Sequence, residues 1–303
     1  MYERILVPLD GSKLAEAALP YAEELAGMLN LEVVLLGVCE PAQREFSHMY
    51  QLYIEQIAEL VKQHVGEYYK KEGAEAEVKP IITFGEPAEE IISYSGKNDI
   101  SLVVATTHAR SGIRGWVMGS VANRLLREMR APVVIIRSMA PQPEVGTRGL
   151  LSKILVPLDG SKAGEASLPW VEGLAVKLKA EVILLQVVAP GKHVHTVGGL
   201  DYFLYPEQEM ESLKRRAKDY LKKAGAALSQ AGCVVRSEVK TGDAAQEIVN
   251  TADEISARLV AISTHGQSGI KKWAFGSVTD KVLQVGHTPI MLVRTPYSSS
   301  TTP

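Results

Sequence analysis

The stretch ILVPLDGSKLAEAALPYAEELAGMLNLEVVLLGV fills residues 5–38, and ILVPLDGSKAGEASLPWVEGLAVKLKAEVILLQV fills residues 154–187. The two align without gaps and share 22 of 34 positions, so the chain is read first as a duplication. A second matched pair lies further on, LVVATTHARSGIRGWVMGSV at residues 102–121 and LVAISTHGQSGIKKWAFGSV at residues 259–278. The offset is 149 residues for the first pair and 157 for the second, so the second copy carries eight extra residues in its middle. Each copy is about 140–150 residues, the size of one domain with its own core.

Within each copy the apolar period alternates between strand and helix. In the first, Ile5–Leu9 reads as a strand. Ser12–Asn30 reads as a helix, with Leu14, Ala18, Tyr21, Ala22, Leu25 and Leu29 at helical spacing. Leu31–Val38 is a strand, 43–72 a long helix, 75–82 a strand and Pro87–Gly96 a shorter helix. Ser101–Thr106 is then a strand, followed by a loop from Thr107 to Gly119, a helix over Ser120–Met129 and a last strand at Pro132–Arg137. The second copy repeats this from Lys153 to Arg294. Continuous apolar strands separated by helices imply a parallel sheet covered on both faces. The expectation is α/β: two tandem doubly wound domains of five strands and four helices, at 1–138 and 153–295. Residues 139–152, with their prolines and no period, read as a linker, and 296–303 as a loose tail.

Composition narrows the function classes. The 303 residues are 46% hydrophobic and 22% charged, with a formal net charge of −2, which gives no basic footprint for nucleic acid. Apolar runs such as EVVLLGV (Glu32–Val38) are too short to span a bilayer. The opening MYERILVPLDGS lacks the basic and apolar regions of a secretory signal, and the cysteines, Cys39 and Cys233, form no framework or CxxC pair. A cytoplasmic location is expected.

In open α/β sheets ligands bind beyond the C-terminal strand ends, where the strand order reverses. Two matched features fall there: Pro-Leu-Asp-Gly-Ser at Pro8–Ser12 and Pro157–Ser161, and Gly-Ser at Gly119–Ser120 and Gly276–Ser277. Glycine before a helix lets a ligand approach the backbone, and the free N–H groups of the first turn favour an anion such as phosphate. Asp10 and Asp159 are better placed to accept a hydrogen bond from ribose or base, or else to pin a turn. Together the parts describe a nucleotide across the sheet edge, adenosine near the aspartate and phosphates near Gly-Ser. Ser12 and Ser161 also read as helix caps. His108 and His265 read as loop-packing residues, and Trp116 and Trp273 as hydrophobic pins. His193 and His195 form an HxH that fits either a metal site or a solvated loop. The chain contains no GxxxxGK[ST], no GxGxxG directly after the first strand, no GxSxG and no HExxH, and no nucleophile stands at recognisable spacing from a base.

The doubled ILVPLDGS and the loop ending in Gly-Ser-Val resemble the universal stress protein family over nearly the whole chain, as a tandem member. The resemblance implies a Rossmann-like, adenine nucleotide alpha hydrolase-like fold, with the last strands Val133–Ile136 and Ile290–Val293 pairing into an intrachain pseudo-dimer. Both strands are apolar on both faces, which an exposed edge would not tolerate. The family's ATP binders carry G-x2-G-x9-G-[ST]. In the second copy this pattern falls on Ser263, Gly266, Gly276 and Ser277, and in the first on Thr106, Ala109, Gly119 and Ser120. The resemblance thus implies a site of Pro157, Leu158, Asp159, Val187 and Ile262, with Ser263, Gly266, Gly276, Ser277, Val278 and Thr279. Its weaker counterpart is Pro8, Leu9, Asp10, Val38 and Ala105, with Thr106, Ala109, Gly119, Ser120 and Val121. Val38 and Val187 would lie against adenine, and Val121 and Val278 near the phosphates. Arg110, Arg114, Lys271 and Lys272 serve either phosphate or solubility.

The leading expectation is a regulatory, stress-response protein that binds ATP or another adenine nucleotide, alone or with Mg2+. Occupancy would bias a surface read by a protein partner, for which helices 43–72 and 206–231 and the segment Gly199–Pro206 are candidates. The alternatives are a nucleotide-free scaffold and a slow ATPase. A further homo-oligomer is left open by the sequence.

Overall fold

A computed structural model describes residues 2–69, 76–107, 119–137, 143–144, 146–196, 199–265 and 275–295. Two compact units result. The first comprises the chain up to Ser152 with His287–Arg294, and the second comprises Lys153–Gly286 with Thr295.

The first unit begins with β1 (Arg4–Leu9), α1 (Lys13–Glu16), α2 (Leu19–Leu29) and β2 (Glu32–Cys39). The single helix expected over Ser12–Asn30 is therefore broken. Pro20 sits in the first turn of α2, where its missing N–H costs nothing but where it cannot continue the preceding helix. The long helix expected over 43–72 is likewise divided. A 3-10 turn (Pro41–Phe46) leads into α3 (Ser47–His64), and a π-helical turn (Val65–Tyr69) follows. That turn seats Tyr69 against α2 at Gly27, where an added Cβ would come 2.1 Å from the Tyr69 Cβ. Then come β3 (Val78–Phe84), α4 (Pro87–Lys97), β4 (Leu102–Thr107), α5 (Ser120–Glu128) and β5 (Val133–Arg137). The strands are parallel in the order β5-β4-β1-β2-β3. Strand order reverses between β1 and β4, which is where a doubly wound sheet opens a crevice. Ile5, Leu6 and Val7 on the central β1 are fully buried, as expected of a strand covered on both faces.

The second unit runs β6 (Lys153–Pro157), a 3-10 turn (Gly164–Ser167), α6 (Leu168–Leu178) and β7 (Glu181–Val188). The extra residues of this copy fall next, in an antiparallel hairpin of β8 (Gly191–Thr196) and β9 (Gly199–Leu204). The segment Gly199–Pro206 is thus mainly a strand, and Tyr202, Phe203 and Leu204 on it are exposed. The chain continues with α7 (Glu207–Gln230), β10 (Val234–Thr241), α8 (Ala244–Glu254), β11 (Leu259–Ser263) and α9 (Ser277–Val285). Parallel pairing joins β10-β7-β6-β11 in that order, so the reversal lies between β6 and β11.

The final strand, β12 (Ile290–Val293), belongs to the first unit, where Ile290, Met291 and Leu292 pair antiparallel with Ile135, Val134 and Val133 of β5. The tail 296–303 and linker residues 139–142 and 145 lie outside the described residues. No helix among the described residues is long and apolar enough to cross a membrane.

Candidate functional site

The turn after β6 is organised by its own side chains. Gly160 takes φ +83°, a conformation that glycine reaches without steric cost, and this swings Ser161 back toward Asp159. Asp159 Oδ1 accepts the Ser161 N–H at 3.0 Å and the Ser161 hydroxyl at 2.6 Å. The Ser161 oxygen in turn accepts the Gly164 N–H at 2.9 Å. Asp159 therefore pins a turn, and Ser161 holds the first N–H of the 3-10 turn that follows.

Opposite this turn stand the end of β11 and the start of α9. Ser263 and Thr279 are buried. The Ser263 hydroxyl donates to the Gly164 carbonyl at 2.8 Å, and the Thr279 hydroxyl donates to the Ser263 carbonyl at 3.0 Å. Gly276 is the N-cap of α9 with φ −65° and ψ 153°, which any residue can adopt. Among the described residues, a Cβ there would come within 4 Å of Thr264 O alone, at an ordinary 3.7 Å.

Between the two lies a cavity of about 310 Å³, within the usual range of small-ligand sites, roughly 300–1,000 Å³. Pro157, Leu158 and Asp159 line it after β6, Val187 lines it from β7, and Ile262 and Ser263 from β11. Gly276, Ser277, Val278 and Thr279 close the far end. The cavity thus brings together every second-copy site residue read from the sequence except Gly266, which lies outside the described residues with Lys271, Lys272 and Trp273.

Sequence reading missed five of the lining residues: Gly164, Leu185, Ala244, Ile248 and His265 as part of the wall. A signal for two of them was present. Gly85-Glu86-Pro87-Ala88 and Gly242-Asp243-Ala244-Ala245 repeat each other at the same 157-residue offset, each followed by isoleucine, at Ile91 and Ile248. The Gln246 N–H and the Lys281 ammonium hold the Asp243 carboxyl below its ordinary value. The Lys281–Asp243 pair, at 3.1 Å, ties α8 to α9.

His265 is fixed by hydroxyl groups, its Nδ1 lying 3.0 Å from Thr264 Oγ1 and 3.3 Å from Thr295 Oγ1. That matches its reading as a packing residue, although it also faces the cavity. Beside the Asp159 turn, burial and then the Glu165 and Asp159 carboxylates push Tyr220 of α7 well above the usual phenol range. Its counterpart Tyr53 of α3 donates to Glu16 at 3.2 Å.

The first copy arranges the same parts with different neighbours. Pro8 and Leu9 end β1, Val38 lies in β2, Ala105 and Thr106 in β4, and Gly119, Ser120 and Val121 open α5. Asp10 Oδ1 accepts the Ser12 N–H at 3.0 Å and its hydroxyl at 2.6 Å, and Ser12 caps α1 through the Ala15 N–H. Ala15 stands where Gly164 stands in the second copy, and Pro87 where Ala244 does. Ala109, His108, Arg110, Arg114 and Trp116 lie outside the described residues. His193 and His195 fall on β8. Among the described residues no group of three or more His, Cys, Asp or Glu side chains converges as a metal site.

Comparison with known proteins agrees with this architecture. The Universal stress protein family matches the chain twice, over residues 1–137 and 151–294. A universal stress protein of Methanocaldococcus jannaschii is 30% identical over 147 residues, covering 48% of this chain and 84% of its own length. One from Mycobacterium tuberculosis is 24% identical over 306 residues, covering 96% of each chain. In fold, the crystal structure of a universal stress protein from Archaeoglobus fulgidus aligns with a TM-score of 0.71 at 18% identity, over 96% of this chain and 98% of its own. With its doubled strand-turn motif, its parallel sheets and a family match in each copy, this chain belongs to the universal stress protein family.

Proposed function

We propose that the second copy binds an adenine nucleotide, ATP or a close relative, and that occupancy rather than turnover is its output. The observation that carries this reading is a cavity with three chemically distinct walls. Leu158, Val187, Ile248 and Ile262 offer an apolar slot for a purine. Asp159 supplies an acceptor for ribose or base. The backbone N–H groups at the start of α9 face the other end, where the helix dipole favours phosphate. Gly276 supports the same reading, because its missing Cβ leaves the backbone open to a ligand on the cavity side. Mg2+, where present, would enter with the phosphates. Ligand occupancy can act as a signal only by favouring one conformation over another, and a partner would then read that conformation.

The test is titration calorimetry with ATP and Mg2+ on wild type and on Gly276→Trp, after denaturing extraction to detect carried nucleotide. One equivalent that disappears in the variant is the expected result. Binding that persists unchanged in Gly276→Trp would move the site out of the second copy. A wild type with neither binding nor carried nucleotide would leave a scaffold instead.

A further inference from the structure

A chain of hydrogen bonds crosses the base of the second-copy cavity. Asp159 Oδ1 accepts from Ser161 at 2.6 Å, and Ser161 Oγ accepts from the Gly164 N–H at 2.9 Å. Gly164 O accepts from Ser263 Oγ at 2.8 Å, and Ser263 O accepts from Thr279 Oγ1 at 3.0 Å. It starts at the carboxylate end and finishes in the first turn of α9. Ser263 and Thr279 are each only 4% exposed, so water does not compete for these two bonds. A Cβ at Gly164 would come 2.5 Å from Asp159 Oδ1 as the turn stands, whereas the first copy makes the same opening links beside Ala15.

The first copy cannot complete the same chain. Asp10 and Ser12 repeat the opening links. Ala122, however, stands where Thr279 stands, and it has no hydroxyl to offer the strand end at Thr106.

We infer that Ser263 and Thr279 are positioning residues that hold the two ends of the cavity in register, so that the site selects a nucleoside phosphate over a nucleoside. The inference rests on the nucleotide reading above. A ligand touching only the Asp159 end gains nothing from the placement of α9. A ligand reaching both ends pays for any freedom between them, because it must then order the groups it contacts. The serine that replaces the family's first loop glycine is, on this account, a gain of bracing rather than the decay of a site.

The experiment compares ATP and adenosine binding by calorimetry on full-length wild type, Thr279→Val, Thr279→Ser and Ser263→Ala. The valine variant keeps the shape of threonine but removes the donor. It is expected to weaken ATP roughly three- to tenfold, the worth of about one net hydrogen bond, and to leave adenosine within about twofold on the same scale. Ser263→Ala should do the same, and Thr279→Ser should restore wild-type affinity. Wild-type ATP binding in Thr279→Val, or an equal loss for ATP and adenosine, overturns the brace while leaving the nucleotide reading intact. A wild type that binds no nucleotide overturns that reading and the brace with it.

Discussion

Glu24 of α2 holds a carboxylate at 3% exposure in the first unit. The Gly149 N–H donates to it, and the N–H groups of Leu150 and Leu151 and the Arg148 guanidinium also favour its charged form. Burial nevertheless dominates and pushes its pKa up, as it does for the neighbouring Glu23, which pairs with His64 Nδ1 at 2.9 Å. An acid whose pKa is raised on folding binds its proton more tightly in the folded state. Its contribution to stability is therefore full below the unfolded value, about 4.3, and is lost as pH rises through the folded value. Glu24→Gln removes that loss and keeps an acceptor for the linker amides. Denaturant titrations at about pH 4.5 and pH 7 should show the variant losing less stability over that interval than wild type. Equal losses would mean that Glu24 is ionised at no cost. Neither glutamate was legible as buried, because both lie off the apolar stripe of α2. Tyr69 and the segment 146–151 cover this side of the helix, and no local spacing reveals such long-range cover.

At the scale of elements, β5 is the test of how the sheet is finished. All five of its residues are buried, and β4 and β12 flank it. A strand this apolar, left as an edge, offers unpaired N–H and C=O groups beside hydrophobic side chains and invites association with other chains. Ending the chain before His287 removes β12. The expected outcome is a destabilised protein that self-associates in light scattering, where the full chain scatters less at the same concentration. A truncated form that stays monodisperse at wild-type stability would show that β12 does not protect the edge. The sequence made the two last strands legible as edges in need of cover because both are apolar on both faces. The hairpin of β8 and β9 was not legible. His193 and His195 drew attention to chemistry, and the glycines around Gly199 punctuate a turn without saying what flanks it.

For the whole molecule, duplication poses the question of whether the two copies respond alike to one ligand. Binding stabilises only the unit that holds the ligand, by about 2.7 kcal/mol at a hundredfold excess over Kd. Hydrogen exchange with saturating ATP should therefore protect β6, β11 and α9 and leave β1, β4 and α5 as they are without ligand. Equal protection of both sets would mean that the first copy binds as well, despite Ala15, Ala122 and Pro87. This readout separates the copies without any mutation, so it complements the calorimetry.

What the sequence determined by itself was the repeat, the alternation of strand and helix, the family and the strand ends that line the cavity. These follow from periodicity and from short turn motifs, which are local properties of the chain. It also supplied the residues at both ends of the cavity, because Pro-Leu-Asp-Gly-Ser and Gly-Ser each announce a turn before a helix. Only the tertiary structure decided how those ends are joined. Gly164 and Ser263 lie 99 residues apart, and their bond exists because parallel pairing sets β6 beside β11. The same holds for Ile248, which reaches the cavity from α8, and for β12, which pairs with β5 of the first copy. Contacts of that kind depend on which strands neighbour one another, and hydrophobic period carries no record of strand order.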